Sequence, residues 1–466
     1  MLKYLCYRNS VTIQDIITGE IMIQTDVAVI GGGAAGLMAA ITAARAGAKT
    51  LIIEHMDRVG KKILATGNGK CNYTNALQGT PFYRGENPAF VMPVFQQFGL
   101  EDTLAFFQQI GIYPKCRNGY YYPSSEQAAS VLDVLRMEAD YQKVDIETSC
   151  EIKNIKRQNG SYKISTNKDS FLAKNIIFTP GLLASPKTGS DGSAFPYIEK
   201  FGHHFIDIVP ALVGLQGRQS FFKALAGIRA EASIELYVET LQMRSPKSYD
   251  FNCNISEKES FKGKTQEKEQ NYKLICTEQG ELQLTDYGIS GIPVFQISRY
   301  ATRALHEGKK VYASIDFMPR LEHPALLALL TERFGVQAHE KTTSEALVGL
   351  FNKKLIDVLL KESGIDLRLP AKKIKKTQLQ QLCETVKAFR VDITGSKSFD
   401  QAQVCAGGVD TSEINAQTME SKFVHGVYFA GEVVDIDGTC GGYNLQWAWS
   451  SGYVAGTHAA ERAKNC

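Results

Sequence analysis

Three stretches of this chain have residue types and spacings that could bind a dinucleotide and support redox chemistry. The first is Gly31-x-Gly33-x-x-Gly36, with Glu54 following 23 residues after Gly31. In such a motif the first glycine permits a tight strand-to-helix turn. The second lets the backbone approach a pyrophosphate, and the third lets the helix lie close on the sheet. Ala34 and Ala35 open the helix, whose free N–H groups and partial positive charge suit phosphates. Glu54 can accept hydrogen bonds from ribose hydroxyls, which favours an unphosphorylated ribose. The second stretch is GEVVDIDGTCGGYNL, residues 431–445. Gly431 and Glu432 end a strand, and Asp435 and Asp437 offer acceptors for sugar hydroxyls. Gly438-x-x-Gly441-Gly442 then leads into a helix start at Asn444 and Leu445, a second anion- or carbonyl-binding terminus. The third stretch places Lys61 and Lys62 ahead of Gly67-Asn68-Gly69-Lys70-Cys71-Asn72. A backbone this rich in glycine can wrap a polar cofactor chain. A flavin needs such additional clamps, because its ribityl chain and ring extend beyond a single βαβ unit.

Regular elements must hold these loops in place. Val27, Val29 and Ile30 read as a strand before the glycines, an alanine-rich helix runs to Gly47, and Thr50–Ile53 reads as the next strand. Helical spacing is expected over 88–110 and 127–140, a turn over 120–125 (YYYPSS), and strands over 145–151, 161–166 and 174–179. Pro180-Gly181 stops the last of these. Residues 211–320 contain β-like runs at 232–238, 273–276, 280–285 and 310–317, with a charged exposed loop at 256–272. Residues 325–389 are helical and leucine-rich, and strand-and-glycine character returns from Arg390. This predicts an α/β fold in which an insertion, first β-like and then helical, interrupts a Rossmann-like dinucleotide-binding domain. The expected boundaries are an N-terminal extension at 1–22, the binding domain at 23–195 and 390–466, the β-rich insertion at 196–320 and the helices at 321–389.

Composition excludes several classes. The 466 residues suit two or three domains at about 150 residues each. With 44% hydrophobic and 22% charged residues and a net charge of +3, the chain reads as globular. It has no pronounced basic surface for nucleic acid. Ten cysteines without a CxxC or zinc spacing read as reduced thiols, and no metal site is expected. No apolar run reaches the roughly 20 residues of a membrane span. The first 20 residues lack a signal peptide's apolar core, so a cytoplasmic location is expected, with Met22 as an alternative start.

The pairing of TGNGKCNYTN (66–75) with GEVVDIDGTCGGYNLQWAWSSG (431–452) resembles the bacterial NAD(P)/FAD-dependent oxidoreductases of aminoacetone oxidase type. Further matches are YYPSSEQAASVLDVL (121–135), PALVGL (210–215), LTDYGISGIPVFQIS (284–298) and AGGVDTSEINAQTMESK (406–422). The resemblance implies extended FAD, with adenosine at Gly31–Glu54 and the flavin near Gly67–Asn72 and Gly441–Leu445. It also implies that the fold is a three-layer Rossmann-like FAD-binding domain interrupted by an inserted β-barrel domain (196–320) and a small helical subdomain (321–389). The candidate cofactor residues are then Gly31, Gly33, Ala34, Ala35, Gly36, Glu54, Lys62, Gly67, Asn68, Gly69, Lys70, Cys71, Asn72, Ile152, Gly181, Gly431, Glu432, Asp437, Gly442, Asn444 and Leu445. Two positions depart from the family pattern: Lys70 replaces an arginine, losing its planar fork, and Pro180 removes a backbone donor beside Gly181.

The activity expected is flavin-dependent oxidoreduction, and the resemblance implies NAD(P)H-linked reduction of a small organic or steroid-like enone. NADH or NADPH would bind transiently, since no second glycine fingerprint provides a nicotinamide domain. No catalytic residue stands out; Tyr443, Tyr122 and His425 are proton-donor candidates only by their nearness to motifs. An oxygen-using amine or aminoketone oxidase is the competing enzyme. Cys71 and Cys440 raise a thiol–disulfide alternative, and a flavin-binding RNA-modification or sensor protein is the reading from another class. The partner expected is a small molecule, without nucleic acid.

Overall fold

The computed structural model describes residues 22–240 and 272–465. The expected N-terminal extension, apart from Met22, lies outside them. So do the charged loop, apart from Tyr272, and Cys6, Cys253 and Cys466. The chain divides into two compact units, one formed by the residues up to Val213 with those from Lys397 onward, the other by Gly214–Ser396.

The first unit is built on a parallel sheet. Its strands are β1 (Met22–Ile30), β2 (Thr50–Ile53), β3 (Asp145–Glu147), β4 (Ile152–Gln158), β5 (Ser161–Thr166), β6 (Ser170–Phe178) and β7 (Val427–Phe429). The parallel order is β3-β2-β1-β6-β7, while β4 and β5 continue antiparallel from the first half of β6. Val27, Ala28 and Val29 are fully buried, as a central parallel strand covered on both faces requires. Helix α1 (Ala34–Arg45) leaves β1 through the glycine turn, and α2 (Tyr443–Lys464) packs against it. Two glycines of α2 permit that contact. A Cβ on Gly452 would lie 2.5 Å from Ala35 O, and one on Gly456 would lie 2.4 Å from Ala39 O.

Local differences from the sequence reading have physical causes. The expected strand 145–151 ends at Glu147, and Ser149 takes a positive φ of 47°. Ser149 N donates to Met56 O and Cys150 N to Glu54 O, which carries the chain across the end of β2 before β4 begins. The helical stretch 88–110 is broken at Gly99, whose N–H donates to the Asp102 carboxylate and starts a new helix at Leu100. Tyr120–Pro123, expected as a turn, is a strand paired with Pro114–Arg117 and with Thr74–Asn75. Its tyrosines have the β preference that the turn reading overlooked.

His203 fastens the end of this unit. Buried, it bonds Glu413 Oε2 through Nδ1 at 3.0 Å and Ser421 Oγ through Nε2 at 2.8 Å. Desolvation holds its pKa below 6.5, with Glu413 opposing, whereas exposed His204 is raised by its bond to Glu413. The unfolded chain therefore binds a proton at residue 203 that the folded chain refuses. This stability is complete above pH 6.5 and declines as pH falls toward the folded-state pKa. His204 acts in the opposite sense, favouring the fold below pH 6.5 and losing that effect as pH rises through its raised pKa. We expect melting temperature against pH to show the acid-side decline, and His203→Gln to flatten it. An unchanged acid limb in that variant would contradict the assignment.

The second unit contains a closed six-stranded antiparallel barrel. Its strands run in the order Leu215–Gly217, Gly288–Ser290, Tyr272–Leu284, Ile228–Glu239, Val311–Asp316, Phe389–Ser396 and back to the first. The helices His323–Phe334, Lys353–Glu362 and Lys376–Lys387 share one hydrophobic core with the barrel. Residues 205–211, grouped with the barrel in the sequence reading, instead form a strand that pairs with 404–409 in the first unit.

Candidate active site

A cavity of about 350 Å³ opens at the carboxyl ends of β1, β2 and β6, the crevice in which open α/β sheets bind ligands. Its volume falls in the range of small-molecule sites. The glycine turn forms one wall. Gly31 takes a φ of 100°, and a Cβ there would meet Thr179 O at 2.6 Å. A Cβ on Gly36 would lie 2.0 Å from Gly31 O, so this glycine serves the packing of α1 on the turn. Gly33 differs from both. Its φ of −78° suits any residue, and a Cβ there would meet nothing within 4 Å. Nothing described in the chain requires residue 33 to lack a side chain; the space it leaves open faces the cavity.

Both helix starts reach this space. The first helical hydrogen bonds run from Leu37 N to Gly33 O and from Gln446 N to Gly442 O. The N–H groups ahead of them have no helical acceptor, and no side chain caps either end. Ala34 and Ala35 of α1 and Asn444 and Leu445 of α2 all line the cavity. The Asn444 side chain is occupied, accepting from Gly438 N and donating to Gly438 O, both at 2.8 Å, which clasps the loop before α2.

Carboxylates and the basic side chains Arg58, Lys61 and Lys62 complete the polar lining. Glu54 is buried, with Oε2 accepting from Gly32 N and Oε1 from Met56 N, each at 2.8 Å. These bonds orient the carboxylate and leave further lone pairs for a ligand. His55 lies between Glu54, at 3.3 Å, and Asp191, at 3.4 Å. Glu432 accepts from Lys62 Nζ at 2.7 Å and from Cys405 N at 2.9 Å. Removing Lys62 leaves a carboxylate facing an anionic ligand without its cation. Lys62→Met should weaken FAD binding about tenfold, the scale of one charge-assisted hydrogen bond. Fluorescence titration of the apoprotein checks this, and an unchanged affinity would contradict it.

Of the expected cofactor residues, Gly31, Gly33, Ala34, Ala35, Glu54, Lys62, Ile152, Gly181, Gly431, Glu432, Asn444 and Leu445 line the cavity. Gly36, Gly67, Asn68, Gly69, Lys70, Cys71, Asn72, Asp437 and Gly442 do not. Gly67 and Asn68 kink the loop with φ of 54° and 53°. Lys70 turns to Glu126, Asp437 pairs with Arg84 in a short ladder, and Gly442 precedes α2 at a φ of 93°. The Asn72 side-chain oxygen is buried without a partner among the described residues. Residues that sequence reasoning missed include Gly32, His55, Cys150, Glu151, Ser190 and Asp191. The polar run Gly189-Ser-Asp-Gly-Ser after β6 was the available signal for the last two.

The proton-donor candidates lie elsewhere. Tyr443 is buried and stacked on Phe82 at 4.9 Å, with its hydroxyl pushed up to about 12 by burial. Tyr122 is half-buried and His425 exposed, and neither lines the cavity. Burial pushes the Cys71 thiol up to about 12 and raises Cys440. Neither is joined in a disulfide, and their surroundings disfavour the reactive thiolate and argue against the thiol–disulfide reading. Among the described residues, no helix is long and apolar enough to cross a membrane.

A Rossmann-type sheet with two uncapped helix starts and a buried carboxylate around one crevice, together with the relatives that follow, makes the chain an FAD-dependent oxidoreductase. The chain belongs to the HI0933-like Rossmann family, whose model matches residues 25–458. It is 40% identical over 438 residues to the 3-dehydro-bile acid delta(4,6)-reductase of Clostridium scindens, covering 94% of this chain and 99% of that one. It is 29% identical to the ribosomal RNA dihydrouridine synthase of Haemophilus influenzae, covering 91% and 96%. A flavocytochrome c3 fumarate reductase structure aligns over 97% of this chain and 80% of its own, at 14% identity and a TM-score of 0.44.

Proposed function

We propose that this protein is an NAD(P)H-linked flavin reductase of a small, steroid-like enone. The observation that supports an extended cofactor is the cradle at Gly33, open where a Cβ would sit and lying in one cavity with Glu54 and the start of α2. The N–H groups of Ala34 and Ala35 would hold the pyrophosphate, and Glu54 would accept from the ribose hydroxyls. The N–H groups of Asn444 and Leu445 would face the carbonyl edge of the flavin ring, where the dipole of α2 favours negative charge. FAD, when bound, supplies hydride transfer between donor and acceptor. The chain positions that group and sets the charge around it, with the Lys62–Glu432 pair fixed at the cavity wall. The substrate class is supported by the bile-acid reductase at 40% identity.

Anaerobic reduction by NADH or NADPH, followed by rapid mixing with a steroid enone or with oxygen, tests the proposal. Reoxidation by the enone supports it. Fast turnover with oxygen and an amine, and none with an enone, would establish the oxidase instead.

A second reading is favoured by two relatives named ribosomal RNA dihydrouridine synthase, at 29% and 26% identity. A net charge of +3 does not decide against RNA when relatives over most of the chain carry that name. Retained binding of ribosomal RNA at about 200 mM salt, with dihydrouridine formed in it, would favour this reading over the enone reductase.

A further inference from the structure

Three cations converge on one carboxylate at the hairpin Pro114–Arg117/Tyr120–Pro123. Lys70 Nζ lies 3.3 Å from Glu126 Oε2, and Lys115 and Arg117 both pair with Oε1. Three positive charges against one negative leave a local excess of two. The cationic side chains are 50%, 40% and 51% exposed, so their heads remain open to a ligand from solvent. Glu126 is held at a φ of 53°, a conformation that residues other than glycine rarely adopt.

The same hairpin borders the loop that starts α2. Tyr120 stands where a Cβ on Gly441 would be, 2.8 Å away, and Asn75 Nδ2 donates to Gly441 O at 2.9 Å. Tyr122, opposite Lys115 on this hairpin, also lies near Cys440. The cationic cluster thus adjoins the glycine loop leading to Asn444 and Leu445.

We propose that Lys70, Lys115 and Arg117 form an anion subsite for the redox partner of the flavin, with Glu126 as an internal competitor that holds the cations until the anion arrives. The oxyanion is the phosphate of a nicotinamide dinucleotide or the carboxylate of an acidic enone. The inference rests on the flavin-end reading above. Arginine and lysine heads around a replaceable carboxylate suit either group, since both accept charge-assisted hydrogen bonds.

The experiment uses the FAD-loaded enzyme and its Lys115→Met, Arg117→Met and Glu126→Gln variants. Steady-state kinetics are read with a steroidal enone carboxylic acid, its methyl ester, NADH and NADPH. Each cation variant should raise KM for the anionic partner about tenfold, the loss of one charge-assisted hydrogen bond. Glu126→Gln should lower the same KM. A shift confined to the acid identifies the carboxylate, and a shift in the dinucleotide KM identifies the phosphate. In the unaltered enzyme, added salt should raise the same KM and leave the ester's unchanged. Full FAD content with equal changes for acid and ester, and none for the dinucleotides, overturns this inference alone. Failure of the unaltered protein to bind FAD overturns the flavin reading on which it rests.

Discussion

Replacing Gly33 by valine should weaken FAD binding by about 100-fold or more, equivalent to about 2.8 kcal/mol, while leaving the apoprotein's melting temperature nearly unchanged. The two halves of that expectation have separate causes. The backbone at residue 33 has a φ of −78°, and a Cβ meets no protein atom within 4 Å, so the fold tolerates a side chain. The same branched side chain would occupy the open ground before Ala34 and Ala35, where a pyrophosphate must approach. Gly36→Ala is the contrasting substitution. Its Cβ would fall 2.0 Å from Gly31 O and push α1 off the turn, so stability should fall along with binding. Titration of FAD and thermal melting of both variants, measured together, separate cofactor contact from packing. A destabilised Gly33→Val apoprotein, or one that binds FAD normally, would contradict this account of the cradle.

The second large effect is expected in α2. Gly456→Val should destabilise the first unit by about 3 kcal/mol or more, because its Cβ would lie 2.4 Å from backbone oxygen Ala39 O. Backbone cannot rotate aside as a flexible side-chain end can. The α1–α2 contact would have to open, exposing neighbours such as Leu37, Met38 and Val454, all fully buried. Denaturant unfolding followed by tryptophan fluorescence suits this test, since Trp447 and Trp449 both lie in α2. The transition reported by these tryptophans should move to lower denaturant. An unmoved transition would show that the helices separate readily at this crossing.

The glycine turn and its acid were legible because each depends on local sequence: an apolar strand, three glycines and a carboxylate at the end of the next strand. The C-terminal loop was legible for the same reason, as a strand, glycines and a helix start. The far wall of the cavity was not. Cys150 and Glu151 reach it because Ser149 and Cys150 bond backbone carbonyls of Met56 and Glu54, more than 90 positions earlier in the chain. No periodicity encodes such a crossing. Gly452 and Gly456 were passed over because their function is set by the carbonyls of a helix about 400 residues away in sequence. Lys70 shows the opposite case. Its place in a glycine-rich loop suggested cofactor contact, but Glu126 draws it to the hairpin, a partner visible only once the strand at Tyr120 is formed.

The central claim is that the crevice at Gly33 holds FAD. Its most direct test is the absorption spectrum of the protein after incubation with FAD and removal of the free cofactor, alongside Gly33→Val treated identically. A flavin band at about 450 nm should stay with the unaltered protein and be lost from the variant. No band on the unaltered protein, or equal bands on both, would contradict it.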